Sequence, residues 1–369
     1  MKIQGVPHRP IEIVPGQKTV RIIDQTLLPH ALEWCELATL EAAAEAIKTM
    51  QVRGAPLIGA TAAYGYFFAV RDDASDVMRA RAYDLLMATR PTAVNLRWAL
   101  NRMHRVVASA SLVERAAVAW AEAGAICEED VRTNHAIGAH GLEIFRKMAA
   151  QKPPGSGPLQ IVTHCNAGWL ACVDWGTAIA PIYQAYDAGI NLHVWVSETR
   201  PRGQGASLTA WELGQHAVPH TLVVDNEAGH LAQRGLVDVM IVGADRVTSR
   251  GDAANKIGTY LKALAAKAHN IPFYVALPVS TIDWTIADGV RDIPIEQRSG
   301  REVTHMGGLG ADGRRQEVLI TPASTPARND GFDVTPGGLI TGLITEHGVY
   351  EASAEGLNRL AIQLGRTKA

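Results

Sequence analysis

Short apolar segments, each followed by polar residues and a helical stretch, recur along the second half of the chain. They are rich in Val and Ile, and between residues 159 and 278 they read LQIVTHC, NLHVWVSE, TLVVDN, VDVMIVGAD and PFYVALP. Near-continuous apolar strands that alternate with helices are typical of a parallel sheet covered by helices on both faces. The pattern therefore predicts a doubly wound α/β fold for this part of the chain.

The first third of the chain has a different pattern, with apolar positions at helical spacing. A strand or hairpin is predicted over residues 18–24, and Thr39 is placed to cap the first helix. Helices are predicted over residues 40–48, 82–89, 95–108, 112–126 and 128–150. The Pro- and Gly-rich residues 152–158 then separate this pattern from the first α/β strand. We place a domain boundary after residue 127, which gives domains 1–127 and 128–369.

Composition narrows the classes of function. The chain has 369 residues, of which 47% are hydrophobic and 20% charged, as expected of a globular protein large enough for two domains. A formal charge of -2 without long Lys or Arg runs argues against nucleic-acid binding. The most apolar stretch, residues 57–70, is too short to span a bilayer, so we expect no membrane association.

Cysteine usage and the N-terminus indicate the cellular compartment. The four cysteines form no CxxC pair and have no zinc-ligand spacing, and the first ten residues lack the apolar core of a signal peptide. These features favour a reducing, cytoplasmic location.

Reactive or ionisable residues stand where four of the predicted strands end. They are Cys165, Glu198, Asp225 and Asp245. Parallel doubly wound sheets bind ligands outside the carboxyl ends of their strands. Cys165 in THCNAG is a candidate acid, base or nucleophile, with an inert buried thiol as the equal alternative. Asp245 ends the most apolar strand, so we expect either a general acid of raised pKa, a helix cap or a partner of Arg246.

Two arginines beside tightly turned backbone are candidates for binding an anion. Arg53 opens RGAP and Arg90 opens RPTAVN, and a guanidinium suits phosphate or carboxylate, although each alone is more often a solvated surface residue. The loop ETRPRGQG offers Arg202, Gln204 and backbone amides to a hydroxylated, anionic ligand. The Asn-Lys pair at 255–256 opens a predicted helix and is a candidate source of a further cation, with an ordinary surface lysine as the default alternative.

Signals for a metal or a dinucleotide are weak. His135 and His140 do not form an HExxH motif, and the GxG at 203–205 is not a dinucleotide fingerprint. We infer neither a metal nor a nicotinamide cofactor.

Seven motifs, taken together and in order, resemble the S-methyl-5-thioribose-1-phosphate isomerase family. They are RGAPLIGATAAYG, RPTAVNL, THCNAG, ETRPRGQGA, LTAWEL, GADRV and GDAANKIGTYLKAL. The same superfamily fold also serves ribose-1,5-bisphosphate isomerases and regulatory subunits of the translation-initiation guanine-nucleotide exchange factor, so the fold alone does not decide the function. The cysteine and aspartate motifs favour the isomerase.

The resemblance implies a mostly helical N-terminal domain with a small sheet, a Rossmann-like C-terminal domain with a mainly parallel sheet, and a homodimer. It implies catalytic roles for Cys165 and Asp245. Substrate binding is implied for Arg53, Gly54, Ala55, Arg90, Gln204, Asn255 and Lys256. The implied reaction converts 5-methylthioribose 1-phosphate to 5-methylthioribulose 1-phosphate in methionine salvage, without a cofactor. The alternatives are a ribose-1,5-bisphosphate isomerase and a non-catalytic, sugar-phosphate-sensing regulatory subunit.

Four positions depart from the family pattern: Trp169, Gly203, Ser207 and Gly338. The resemblance leads us to expect a small residue at the first, a bulkier or amide residue at the second, and often arginine at the last two. We expect these departures to reshape the pocket near the 5-substituent of the sugar. The missing arginines favour an uncharged 5-substituent over a phosphate, with 5-deoxyribose 1-phosphate as a second expected substrate.

Overall fold

The structure is a computed structural model, and it describes residues 1–90 and 93–366. Pro91 and Thr92 of the RPTAVNL motif lie outside the described residues, as do residues 367–369. The helices are α1 (Leu40–Lys48), α2 (Ala55–Asp72), α3 (Asp76–Thr89), α4 (Val94–Ala108), α5 (Arg115–Gln151), α6 (Ala180–Asp187), α7 (Ala210–Gln215), α8 (Glu227–Gln233), α9 (Thr259–Ala268), α10 (Gly289–Asp292), α11 (Arg301–Thr304) and α12 (Ala354–Gln363).

The strands are short, as expected of a sheet built from the segments above. They are β1 (Lys2–Ile3), β2 (Val6–Pro7), β3 (Ile11–Ile13), β4 (Val20–Ile23), β5 (Trp34–Leu37), β6 (Leu159–His164), β7 (Leu192–Ser197), β8 (His220–Val223), β9 (Val239–Val242), β10 (Arg246–Thr248), β11 (Ala253–Lys256), β12 (Phe273–Ala276), β13 (Ile282–Asp283), β14 (His305–Leu309), β15 (Arg315–Leu319), β16 (Phe332–Thr335), β17 (Gly342–Thr345) and β18 (Gly348–Tyr350).

The N-terminal region combines α1 to α5 with a three-stranded antiparallel sheet of β3, β4 and β5. The Oγ1 atom of Thr39 accepts the amide hydrogen of Ala42 at 3.1 Å and caps α1, as predicted. Helix α2 is buried along nearly its whole length because it packs among α1, α3, α4 and α5. Its apolar character on all sides follows from that position. Within the described residues, no helix is long and apolar enough to cross a membrane.

Helix α5 is longer than either helix predicted in its place. It runs without a break from Arg115 to Gln151 and joins the helices expected over 112–126 and 128–150. No proline interrupts it, and Cys127 lies buried on its inner side. The boundary predicted after residue 127 falls inside this helix, and the division into two domains stays a prediction.

The central sheet has seven strands in the order β18-β17-β12-β9-β6-β7-β8. All neighbouring pairs are parallel except β17 and β18, which confirms the α/β class with a mainly parallel sheet. The five predicted strands correspond to β6, β7, β8, β9 and β12. The chain builds outward from β6 to β8 and then returns to the other side of β6 with β9. Strand order therefore reverses between β6 and β9, the position at which such sheets bind ligands.

Candidate active site

A cavity of about 80 Å³ lies beyond the carboxyl ends of β6 and β9, where the strand order reverses. It is lined by both candidate catalytic residues and most of the predicted binding residues: Arg53, Gly54, Ala55, Arg90, Cys165, Gln204, Asp245 and Lys256. Asn255 lies apart from them, in an adjoining cavity that shares Arg53, Cys165 and Asp245 with the first. The amide of Asn255 donates to the hydroxyl of Thr259 at 3.0 Å.

Cys165 occupies a strained turn at the end of β6. Its φ angle is 64°, in the left-handed region that non-glycine residues rarely adopt, and φ of Thr199 beside it is 68°. The Cys165 amide donates to the Thr199 hydroxyl at 2.8 Å, and the Cys165 carbonyl accepts from the Thr209 hydroxyl at 2.7 Å. Such strain persists only where the surroundings enforce it, and it concentrates at functional sites. The two threonines thus fix the thiol beside the cavity.

Asp245 lies three residues after the end of β9 and is partly buried. Burial raises the pKa of its carboxyl, while the nearby charges of Lys256, Arg90 and Arg53 oppose that rise. The next element is β10, so Asp245 caps no helix, and the Nη1 atom of Arg246 lies 3.5 Å from an oxygen of Asp283. Of the roles considered from sequence, a general acid of raised pKa agrees best with these surroundings.

Arg53 and Gly54 form the turn that begins α2. The Arg53 guanidinium donates to the side-chain oxygen of Asn166 at 2.5 Å and to its backbone carbonyl at 3.0 Å. Gly54 has φ of 90°, and a Cβ atom there would lie 2.4 Å from the carbonyl oxygen of Ala171. Only glycine fits this close approach, which brings the turn and the start of α2 against the cavity.

Arg90 and Lys256 are also held by the protein. Arg90 forms an ion pair with Glu296 at 3.2 Å. The Lys256 ammonium donates to the carbonyl of Gly331 at 2.8 Å and lies 4.9 Å from the centre of the Phe332 ring. Burial lowers the pKa of Lys256, whereas Cys165 and Asp245 favour its charged form. Together with Arg53, these residues supply positive charge around one small space.

Comparisons with known proteins identify the family. The family model of the initiation factor 2 subunit family matches residues 51–352. The methylthioribose-1-phosphate isomerase of Paramagnetospirillum magneticum (strain ATCC 700264 / AMB-1) is 60% identical over 360 residues, which cover 98% of this chain and 99% of that protein. The chain belongs to the methylthioribose-1-phosphate isomerases of the initiation factor 2 subunit family.

Two solved structures are similar to this chain over nearly its whole length. The 5-methylthioribose 1-phosphate isomerase of Pyrococcus horikoshii OT3 matches with a TM-score of 0.82 and 39% identity over 96% of both chains. Translation initiation factor eIF-2B, subunit delta, from A. fulgidus matches with a TM-score of 0.76 and 38% identity over 93% of this chain and 96% of that one. The family resemblance read from the motifs is thereby confirmed.

Two other residues selected from the sequence, Asp225 and Arg202, lie away from the small cavity of this protein. Asp225 accepts hydrogen bonds from the Ser197 hydroxyl at 2.7 Å and from the amides of Thr199 and Arg200 at 2.8 and 2.7 Å. Arg202 pairs with a glutamate and lines an outer cavity of about 510 Å³, which adjoins the small cavity. In the described part of the chain, no group of three or more His, Cys, Asp or Glu residues is arranged to hold a metal ion.

The four departures from the family pattern occupy different surroundings. Trp169 is buried in the hydrophobic core, where its ring lies 6.0 Å from that of Trp211, and Gly338 is exposed with open space around it. Ser207 lines the outer cavity and donates its hydroxyl to the carbonyl of Gly203 at 2.8 Å. The expectation that all four shape the pocket is therefore wrong for Trp169, because its large ring packs inward, and for Gly338, which faces solvent.

Sequence reasoning missed the apolar wall of the cavity. This wall consists of Met50, Ile58, Ala93, Ile293, Pro294 and Phe332. Its members come from α2 and the turns beside α1 and α4, from the segment after α10, and from the first residue of β16, and no local periodicity singles them out. Thr199 and Thr209 were missed as well, although both stand inside motifs that carry the family resemblance.

Proposed function

We propose that this protein is an aldose-ketose isomerase that converts 5-methylthioribose 1-phosphate to 5-methylthioribulose 1-phosphate. One observation carries the proposal: the candidate acid Asp245 and the thiol of Cys165 line the same small cavity, together with three cationic side chains. The substrate is inferred from similar proteins, which are named as isomerases of 5-methylthioribose 1-phosphate. The class of enzyme is an intramolecular oxidoreductase acting in methionine salvage.

The first chemical step opens the sugar ring. The anomeric oxygen of the substrate carries a phosphate, so the ring does not open freely as it does in an ordinary aldose. Protonated Asp245 donates its proton to the ring oxygen while the bond between that oxygen and C1 breaks. The raised pKa of Asp245 supports this role, because the carboxyl stays protonated to a higher pH than usual.

The second step moves hydrogen from C2 to C1. C2 is oxidised to a ketone as C1 is reduced, and the C2 hydroxyl releases one proton, which balances the proton that Asp245 gave to the ring oxygen. The reaction therefore needs no external oxidant or reductant. We place Cys165 beside C1 and C2. It either carries a proton through an enediolate or shapes the site for a hydride shift, and these two alternatives stay open.

The phosphate would lie among Arg53, Arg90 and Lys256. The first turn of α2 begins at the same place, and free amides at a helix start favour an anion. Gln204 and Asn255 would bind hydroxyl groups, and the Gln204 side-chain oxygen is buried without a hydrogen-bond partner among the described residues. Fixing the sugar in this way lowers the entropic barrier to the transfer.

The apolar wall supports an uncharged 5-substituent. A methylthio or methyl group gains from contact with such side chains, whereas a second phosphate would be desolvated against them. This favours 5-methylthioribose 1-phosphate, with 5-deoxyribose 1-phosphate as a second substrate, over ribose 1,5-bisphosphate.

A non-catalytic regulatory subunit is the second candidate. The structural similarity to translation initiation factor eIF-2B, subunit delta, is the observation that favours it. Such a subunit would bind a sugar phosphate tightly without converting it. We also propose a homodimer in the cytoplasm, as the family resemblance implies.

Proton and phosphorus NMR of the purified protein test the proposal. The protein is incubated in turn with 5-methylthioribose 1-phosphate, 5-deoxyribose 1-phosphate and ribose 1,5-bisphosphate, with no metal or nucleotide added. We expect the ketose 1-phosphate from the first, a slower reaction of the second and little from the third. Binding of all three without conversion would refute the isomerase and favour the regulatory subunit.

A further inference from the structure

A buried carboxylate, Glu212, lies just outside the small cavity. Its side chain on α7 is fully buried and accepts hydrogen bonds from the amide of Trp169 at 2.8 Å and the hydroxyl of Tyr183 at 2.9 Å. The third donor is the side-chain amide of Asn166, in a short hydrogen bond. The mechanism above does not use Glu212, so its burial needs a separate explanation.

Asn166 connects this carboxylate to the cavity. Its amide nitrogen donates to Glu212 and lies 3.2 Å from the hydroxyl of Thr209, while its side-chain oxygen and backbone carbonyl accept from Arg53 at 2.5 and 3.0 Å. An arginine offers only donors, and an ionised carboxylate offers only acceptors. The two ends therefore permit one orientation of the Asn166 amide, with its oxygen toward Arg53.

We propose that Glu212 is a positioning residue that acts through Asn166 to hold the Arg53 guanidinium at the cavity. The inference rests on the proposed function in one respect, namely that Arg53 binds the substrate phosphate. Without the Glu212 acceptor, the Asn166 amide nitrogen would keep only the longer hydrogen bond to the Thr209 hydroxyl and would be held less firmly. Arg53 would then lose a charge-assisted hydrogen bond that sets the direction of its planar donor group.

The surroundings of Glu212 argue against simple packing. A Cβ atom on Gly168 would lie 2.0 Å from a Glu212 oxygen, so the backbone after Cys165 closes directly around the carboxylate. Burying an ion pair or a charge contributes little to stability compared with apolar side chains of similar size. An apolar residue at position 212 would leave the Trp169 amide and the Tyr183 hydroxyl without their acceptor, and would leave the Asn166 amide with only the Thr209 hydroxyl at 3.2 Å.

Electrostatics agree with this arrangement. Burial raises the pKa of Glu212 to about 7, although hydrogen bonds from Asn166, Tyr183 and the amide of Trp169, and the charge of Arg53, favour ionisation. Burial also raises the pKa of Tyr183 and of Cys172, which lie near the same carboxylate. The positive charge of Arg53 favours the ionised form of Glu212, which agrees with a functional link between the two residues.

A double-mutant cycle on ligand affinity tests the proposal. The variants are Glu212→Gln, Arg53→Ala and the combination. The ligand is 5-methylthioribose 1-phosphate that has first been incubated with wild-type protein, so that no net conversion contributes heat, and its Kd is measured by titration calorimetry. In Glu212→Gln an NH₂ group replaces either the oxygen that accepts from Asn166 or the one that accepts from Trp169 and Tyr183, so at least one donor faces another donor. We expect Glu212→Gln to weaken binding by about tenfold in the presence of Arg53, and by less than about twofold in its absence. Equal effects in both backgrounds would overturn the proposal.

Tyr183→Phe is the matched control, because it removes one donor to Glu212 and leaves Asn166 in place. We expect it to lower Tm while the Kd stays within about twofold of wild type. If Glu212→Gln and Tyr183→Phe both weakened binding in proportion to their loss of Tm, Glu212 would have a structural role only. That result would contradict the proposal. If Glu212→Gln does not fold, Asn166→Ala replaces it in the same cycle, with the same non-additivity expected.

The cycle also separates this inference from the proposed function. Wild-type protein that binds the sugar phosphate without turning it over would refute the isomerase, yet the coupling of Glu212 to Arg53 would still be measured. The titrations are repeated with inorganic phosphate as a probe of the anion site alone. Failure of wild type to bind either ligand would overturn the inference together with the phosphate site.

Discussion

Asp225 and Asp245 follow parallel strands at the same edge of the central sheet, but their surroundings differ. Asp225 follows β8, at the end of the sheet, and three donors from the loop after β7 surround it. Burial alone would raise the pKa of Asp225, but hydrogen bonds from Ser197 and the Arg200 amide, with the charge of Lys262, lower it. For Asp245, burial prevails and its pKa is raised.

The difference shows how the position of a strand determines the chemistry of the residue that follows it. At β8 the neighbouring loop supplies hydrogen-bond donors, so the carboxylate stabilises that loop in its ionised form. At β9 the strand order reverses, which leaves a space beyond the strand that loops do not fill. A substrate can reach a carboxyl that faces that space, as the acid role proposed for Asp245 requires.

Exchanging each carboxyl for its amide tests this distinction most strongly. Asp245→Asn keeps the shape of the side chain and removes the proposed acid, so we expect kcat to fall by about 10²- to 10⁴-fold. Asp225→Asn disturbs the loop beside Cys165 without removing an acid, and we expect a fall of less than about tenfold. The rates are measured by phosphorus NMR with 5-methylthioribose 1-phosphate. Similar losses in the two variants would remove the distinction.

The second test concerns Cys165, which follows β6 on the other side of the strand-order reversal. Cys165→Ser keeps the volume but replaces the thiol by a poorly acidic hydroxyl, and we expect kcat to fall by about 10²-fold. Cys35→Ser is the matched control, since Cys35 lies partly exposed on β5. We expect it to change kcat by less than about twofold. Near-normal turnover of Cys165→Ser in folded protein would refute its catalytic role.

Sequence patterns predicted those parts of the fold that depend on local periodicity. The capped helix α1 and the strands β6 to β9 and β12 were found because each has its own apolar pattern or cap. Cys165 and Asp245 were selected because polar residues at the ends of buried strands are conspicuous, and their catalytic roles stay a prediction. The same rule selected Asp225, however, because a single sequence does not show at which strand the order reverses.

The remaining parts of the site depend on contacts between distant segments. Met50 and Phe332 both line the cavity although they are far apart in the chain. Met50 lies in the turn after α1 and Phe332 begins the short strand β16, so no local pattern singles out either residue. The link from Glu212 through Asn166 to Arg53 likewise joins three separate segments. The substrate-binding role implied for Asn255 stays a prediction, as its amide donates to the hydroxyl of Thr259.

The smallest expected effect is on stability, where the two aspartates should act with opposite signs. The folded-state pKa of Asp225 lies below its ordinary value of 3.8, so its ionised form adds stability above that pH, which is lost as pH falls through the folded-state pKa. The folded-state pKa of Asp245 lies above 3.8. Its stabilising contribution is present below 3.8 and is lost as pH rises through the folded-state pKa.

Both contributions are measured by urea denaturation of wild type, Asp225→Asn and Asp245→Asn between about pH 3 and pH 8. Each unit of pKa difference between the folded and unfolded states corresponds to about 1.4 kcal/mol. We expect Asp245→Asn to become more stable relative to wild type as pH rises, because the variant carries no buried charge. Asp225→Asn should be less stable than wild type at neutral pH, by about 1–3 kcal/mol for an unsatisfied donor, and should approach wild type in acid. If both differences changed with pH in the same direction, the two strand ends would share one electrostatic environment, and the raised pKa proposed for the acid Asp245 would have no support.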